Sequence, residues 1–178
     1  MNTEEMYHDI LKTMIAMSGI RDEWGEQLTM PMAVPAGLEV IHRAERITCP
    51  FRFGTDELGF FLSTDLIYAE HIHKMDDAFW FRMAELSQIG RLDFWENRGW
   101  TDAQVRQEPW YHKKTKSLIF QMIRTSIALE EHHGDCQDLG AVIVRWDYKT
   151  PWSELLEKGT HAFINLYRIN EALWKKER

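Results

Sequence analysis

Glutamate followed three residues later by histidine occurs four times in this sequence, against roughly one occurrence expected by chance. The pairs are Glu5/His8, Glu39/His42, Glu70/His73 and Glu130/His133. Residues three apart on an α-helix share one face, so a carboxylate and an imidazole at this spacing can bind the same metal ion. The pattern therefore predicts metal chemistry, provided that the fold holds one or more of these pairs inside.

Glu130 and His133 lie near the end of the clearest helix in the sequence. Residues 117–134 place apolar side chains at helical spacing, and Gly134 supplies a C-terminal stop. On a helical wheel with steps of about 100°, the pair falls inside the apolar arc. A buried carboxylate is usually paired or bound to metal, because leaving it unpaired is costly. The alternative is that the helix end projects beyond the core and both groups are hydrated.

A second long helix is predicted over residues 64–89, before a glycine that would end it. Beside its main apolar stripe, a second stripe holds Glu70, His73 and Asp77 between apolar residues. If the helix is buried on two sides, these groups converge on a site; if it is buried on one side, they form its hydrated face. Antiparallel packing against the first helix would bring the two Glu/His pairs to the same end of a bundle.

This spacing resembles that of the ferritin-like di-metal carboxylate proteins, in which two helices each supply a Glu and two others each supply Glu-x-x-His. The resemblance covers residues 39–133. It implies the metal ligands Glu39, Glu70, His73, Glu96, Glu130 and His133. The chain departs from that pattern at Glu39 and Glu96, whose segments are interrupted by proline or glycine. A mononuclear site with two histidines and one or two carboxylates is the simpler alternative, and it would suit Fe, Mn or Zn.

The N-terminal segment has the signals of a helix. Asn2 and Glu5 have the spacing of a capping box, and Gly19 follows a run of apolar residues at helical spacing. Glu5 and His8 lie off the apolar stripe, so we interpret both as facing solvent. Near the other end of the chain, Pro151 is expected at the first position of a last helix, in which residues such as Leu155, Leu166 and Leu173 place an apolar face inward.

Strand signals are fewer. Residues 141–146 are β-branched and bounded by turn-forming residues, which makes them the best strand candidate. Their partner would be residues 38–42 or 58–62, and residues 51–63 could form a hairpin. Residues 20–37 contain two prolines and two glycines and are predicted to be irregular. Together the elements predict a single globular domain over residues 1–178 that is mainly α, a bundle of about four to five helices with a small two- or three-stranded β element; an α+β fold is the alternative.

Composition limits the classes of partner. The chain has 178 residues, is 44% hydrophobic and carries a net charge of −7, which is typical of a globular domain and argues against binding nucleic acid. No apolar run approaches the ~20 residues of a membrane span, and the acidic N-terminal segment lacks the layout of a signal peptide. Two cysteines without a CxxC motif favour a cytoplasmic location.

Three functions follow as hypotheses. The first is a metal-dependent protein, an oxidoreductase or hydrolase-like protein, with Fe, Mn or Zn as its cofactor. The second is a non-enzymatic inhibitor or immunity-type module that binds a protein partner through some of its eight tryptophans. The third is a protein that binds a small molecule between aromatic and methionine side chains. A homodimer is compatible with all three.

Overall fold

A computed structural model describes residues 2–33, 36–96, 115–131 and 138–178. Its strands are β1 Trp24–Ala33, β2 Ala36–Ala44, β3 Cys49–Asp56, β4 Gly59–Ile67, β5 Arg91–Glu96 and β6 Asp138–Trp146. Its α-helices are α1 Thr3–Ser18, α2 Asp77–Ile89, α3 Thr115–Glu131 and α4 Trp152–Glu177, and a 3-10 helix spans Ala69–Lys74.

The described strands form one antiparallel sheet in the order β1-β2-β3-β4-β6-β5. The first four strands follow one another as successive antiparallel neighbours. The tight turn between β3 and β4 lies at residues 57–58, where Asp56 accepts a hydrogen bond from the Leu58 backbone N–H at 2.9 Å. The chain then leaves the sheet for the 3-10 helix and α2 before it returns as β5 and, after α3, as β6.

Alternation along the strands places one apolar face of the sheet against the helices. Phe51, Phe53 and Leu62 are fully buried on this face. Helices α1, α2 and α4 pack into one common core with them, through residues such as Leu11 of α1 and Phe163 of α4. The centre of the molecule is therefore a helix-on-sheet core.

The opposite face of the sheet carries buried charges. Arg145 on β6 donates hydrogen bonds to both carboxylate oxygens of Asp56, at 2.6 and 2.8 Å, and to Asp93 at 2.8 Å. All three residues are at most 4% exposed. Beside them, Arg52 forms a two-point contact with Asp65 at 3.0 and 3.1 Å. A buried charge is stable only when it is paired in this way.

The expected mainly α helical bundle is wrong. The described residues form an α+β fold with a sheet of six strands, where a two- or three-stranded element was expected. The largest error is the helix expected over residues 64–89. Thr64 and Asp65 belong to β4, where they pair with β6, and Tyr68 has a left-handed backbone (φ 49°) that ends the strand. Only the last part of the expected helix, α2, is α-helical.

The segment expected to be irregular, residues 20–37, is mostly β1 and the start of β2. Its Pro31 is tolerated because β1 is an edge strand of the described sheet, where a missing N–H can face outward. Other predictions are confirmed. The Asn2/Glu5 capping box and the Gly19 C-cap delimit α1, and residues 141–146 lie within β6.

Among the helices of the described residues, none combines the length and apolar character that crossing a membrane requires.

Candidate metal site beside the 3-10 helix

The 3-10 helix places four ionisable side chains together. Ala69 and Ile72 are fully buried and anchor the helix to the core. With three residues per turn, Glu70, His71, His73 and Lys74 are consequently left on the outer sides. Helix α3 packs along one side of the 3-10 helix, and the end of α4 reaches the other.

Glu70, His71 and Glu177 form the candidate metal site. The Nε2 atom of His71 lies 2.5 Å from Glu177 Oε2 and 3.8 Å from Glu70 Oε1. One donor atom from each residue lies within 4.8 Å of the others. Glu177 is exposed and the other two residues are half-buried, so the cluster is open to solvent. The 2.5 Å contact without metal requires a proton on Nε2, which an ion would displace.

His73 and Glu130 meet on the side of α3. Nε2 of His73 lies 2.8 Å from Glu130 Oε2, although this oxygen accepts no aligned hydrogen bond. Ser126 of α3 donates its hydroxyl proton to the Ala69 carbonyl at 2.6 Å, so it must accept from His73 Nδ1 at 2.9 Å. His73 is thus held between Ser126 on one ring nitrogen and the carboxylate of Glu130 on the other.

Both ring nitrogens of His73 already have a partner, so His73 is poorly placed as a metal ligand in this arrangement. Glu130 also contacts Lys74 Nζ, at 2.9 Å from its other oxygen. This hydrogen bond, followed by the charges of Lys74 and His73, lowers the pKa of Glu130. One member of each of two predicted Glu/His pairs, His73 and Glu130, thus meets the other in space, but Glu130 is already paired with Lys74.

The other predicted ligands lie elsewhere or outside the described residues. Glu39 is buried on β2, with Oε1 at 3.9 Å from Arg52 Nε, and Glu96 is the last residue of β5. His133 falls outside the described residues. Because Glu39 and Glu96 lie on strands, the described part of the chain lacks the four-helix arrangement implied by the ferritin-like resemblance.

Sequence reasoning missed two members of the cluster. His71 directly follows the predicted ligand Glu70, but adjacent residues of a helix point in different directions, so it was not expected to share a site with Glu70. Glu177 is over a hundred positions away in the chain, and only the tertiary packing of α4 against the 3-10 helix brings it to His71. No local pattern in the sequence would have identified it.

The interpretation of His8 as solvent-facing is wrong. His8 is half-buried, and its Nδ1 lies 2.8 Å from Nε2 of His42 on β2, which is 1% exposed. Two of the four Glu/His pairs in the sequence are thus joined through their histidines and across two elements, which the i,i+3 pattern did not predict.

Aromatic side chains are also partly exposed at another position. Tyr148 and Trp152 are 52% and 46% exposed, and their ring centroids lie 5.5 and 5.3 Å from that of the buried Phe60. Each ring packs against Phe60 and is partly exposed to solvent. Such exposed aromatic rings are the kind of side chain that the protein-binding hypothesis requires.

The comparisons with known proteins place the chain in no group: no family model, no curated protein and no solved structure matches it.

Proposed function

We propose that the protein binds a divalent transition metal ion at Glu70, His71 and Glu177. The observation that supports this is the convergence of one imidazole nitrogen and two carboxylate oxygens, within 4.8 Å of one another, from two elements distant in sequence. Three protein ligands and an open side leave a coordination position for water or a substrate, which is the donor set of a catalytic rather than a closed structural site.

Zinc is the first choice of ion, with Mn and Fe as the alternatives. Tetrahedral zinc with bonds of about 2.0 to 2.2 Å separates its ligands by roughly 3.3 Å. Side-chain rotation can reach this spacing by lengthening the contact of His71 with Glu177 and shortening the one with Glu70. The bound ion would supply a Lewis acid that lowers the pKa of a coordinated water. Such chemistry is consistent with a metal-dependent hydrolase or oxidoreductase.

Calorimetric titration with Zn²⁺ and Mn²⁺, and with Fe²⁺ under anaerobic conditions, tests the proposal on the tag-free chain. We expect about one equivalent of one ion to bind, and His71→Asn to weaken binding at least tenfold through loss of the nitrogen ligand. His161→Asn is the matched control, since His161 on α4 also pairs with a glutamate, Glu85 at 3.5 Å. No binding to wild type, or equal binding by the His71 variant, would contradict the proposal.

A cytoplasmic location is part of this proposal and rests on Cys49. Its thiol is free and fully buried, and burial raises its pKa to about 12, so it remains an unreactive thiol. It accepts a hydrogen bond from Asn170 Nδ2 at 3.0 Å, which fixes it as a packing residue. A free thiol of this kind is typical of proteins from reducing compartments.

A further inference from the structure

The contact of His8 with His42 joins α1 to the sheet through two imidazoles. The nitrogen atoms are 2.8 Å apart, the ring centroids are 5.1 Å apart and the ring planes differ by 22°. These values place the rings end to end, nearly in one plane, rather than face to face. Both nitrogens point along the line between them, which leaves room for one hydrogen and no room for a metal ion.

The neighbours of His8 determine which nitrogens carry hydrogens. Thr29 of β1 donates its hydroxyl proton to Glu4 Oε1 at 2.7 Å, so its oxygen must accept from His8 Nε2 at 2.9 Å. His8 Nδ1 is then the acceptor, and Nε2 of His42 donates to it. The result is a directed chain of hydrogen bonds from His42 through His8 and Thr29 to Glu4, in which both imidazoles are neutral.

This chain of hydrogen bonds must rearrange when either imidazole takes up a proton. One proton on His8 requires His42 to change tautomer, so that Nε2 becomes an acceptor. A second proton would make both facing nitrogens donors at 2.8 Å and would place two cations in contact. His42, on β2 beside Phe51 of β3, is almost fully buried and has no alternative contact with water. His8 is half-buried and can rotate outward, provided that its helix yields.

The charged groups around the two histidines do not offset the cost of protonating them. From α1, Glu4 and Asp9 raise the pKa of His8, whereas Lys12 lowers the pKa of both histidines. Burial is the largest cause for each residue, and it lowers the pKa of His8 and brings the pKa of His42 to about 4. The geometry and the charges therefore favour the neutral pair.

We propose that the His8–His42 pair is a proton-controlled clasp, which holds the first turns of α1 (residues 3–9) on β1 and β2 when neutral and releases them on acidification. The rest of the helix remains attached, because Leu11 and Met14 are fully buried in the core. Release would free Tyr7 from Phe53 and from Thr55, whose Oγ1 is 2.8 Å from the Tyr7 hydroxyl. It would thereby expose the underlying sheet surface.

Hydrogen exchange measured by mass spectrometry at pH 7 and pH 5, corrected for intrinsic rates, tests the clasp. If His42 changes from a pKa of about 4 when closed to 6.5 when open, the opening constant rises roughly twentyfold between these pH values. We expect this increase in peptides covering residues 3–9 and a much smaller one in α4. His8→Gln should reduce it, because an amide removes the repulsion between two charged rings and can accept from His42 in either charge state, whereas the burial of His42 remains.

Two further measurements keep the test decisive. His161→Gln, on the exposed side of α4, should retain the wild-type response. Ring proton shifts of the histidines should show His42 titrating well below its ordinary value in wild type and closer to it in His8→Gln. Equal pH responses in wild type and His8→Gln would overturn the proposal, and so would an increase spread evenly over α1 and α4.

Discussion

The buried polar contacts of the sheet and the half-exposed ones around the 3-10 helix use the same residue types for different purposes. On the sheet, Arg145 has both of its acidic partners in hydrogen-bonding distance and almost no contact with solvent. Around the 3-10 helix, Glu177 and Glu130 remain 43% and 38% exposed at their side chains. Exposed pairs contribute little to stability, whereas buried ones cannot lose a partner without a large penalty.

This difference separates structural groups from groups that are available to a ligand. The buried charges of the sheet already have oppositely charged partners, although Asp93 Oδ1 and Arg52 Nε take part in ion pairs without a hydrogen bond, so a ligand would have to compete with existing contacts inside the protein. Glu70, His71 and Glu177 can rearrange in water at small cost. The metal ion that we propose would therefore bind at an accessible site beside the 3-10 helix, while the charges of the sheet have a structural role.

The largest expected effect is that of Arg145→Met. Removing the guanidinium leaves Asp56 buried without the cation that binds it and, among the described residues, Asp93 with only Arg91 at 3.5 Å, so we expect the free energy of unfolding to fall by about 3–5 kcal/mol. Chemical denaturation measures it. Arg168→Met is the control: it removes a partly exposed cation from Glu171, which keeps its ion pair with Arg46, and it should cost less than about 1 kcal/mol. Equal losses in the two variants would remove the distinction between the regions.

The second largest expected effect is the loss of stability at low pH that His42 causes. Its pKa of about 4 in the fold, against 6.5 for the free group, means that the unfolded chain binds the extra proton between these values. The neutral His42 therefore contributes about 3 kcal/mol to the free energy of unfolding. This contribution is fully present above neutral pH and is lost as the pH falls from 6.5 to about 4. Urea unfolding from pH 7.5 to 4 should show a smaller loss in His42→Gln than in wild type. If wild type and His42→Gln lose the same stability between pH 7.5 and 4, His42 is not the group responsible.

The smallest expected effect on stability is that of Glu177→Gln. The side chain is 43% exposed, so loss of its charge should change the free energy of unfolding by less than about 1 kcal/mol. The same substitution should weaken metal binding at least tenfold, since it replaces a carboxylate ligand with an amide. A large loss of stability with unchanged metal affinity would show that the contact with His71 is structural, contrary to the comparison drawn above.

The sequence predicted those elements whose signals are local. The capping box at Asn2 and the glycine at position 19 delimit α1, and the β-branched residues 141–146 mark β6. The spacing of apolar residues also identified most of α3 and α4. In each case the chain carries its own start, stop and period, so neighbouring elements need not be known.

Elements decided by tertiary contacts were missed. Tyr68, Ile72, Met75 and Phe79 have helical spacing, yet Tyr68 adopts a left-handed backbone and separates β4 from the 3-10 helix. The pairing of Thr64 with Val142 on β6 prevails over a local helical pattern, because strand partners are distant in sequence. The same reason hid the candidate site, in which Glu177 meets His71, and the contact of His8 with His42.

Pro31 also has a consequence for how copies of this protein behave toward one another. β1 is an outer strand of the described sheet, and an outer strand normally presents a row of amides and carbonyls onto which a neighbouring chain can polymerise. The ring of Pro31 removes one amide hydrogen from this row and replaces it with bulk. A second molecule that paired with β1 would lack a backbone hydrogen bond at Pro31, which disfavours extension of the sheet into fibres.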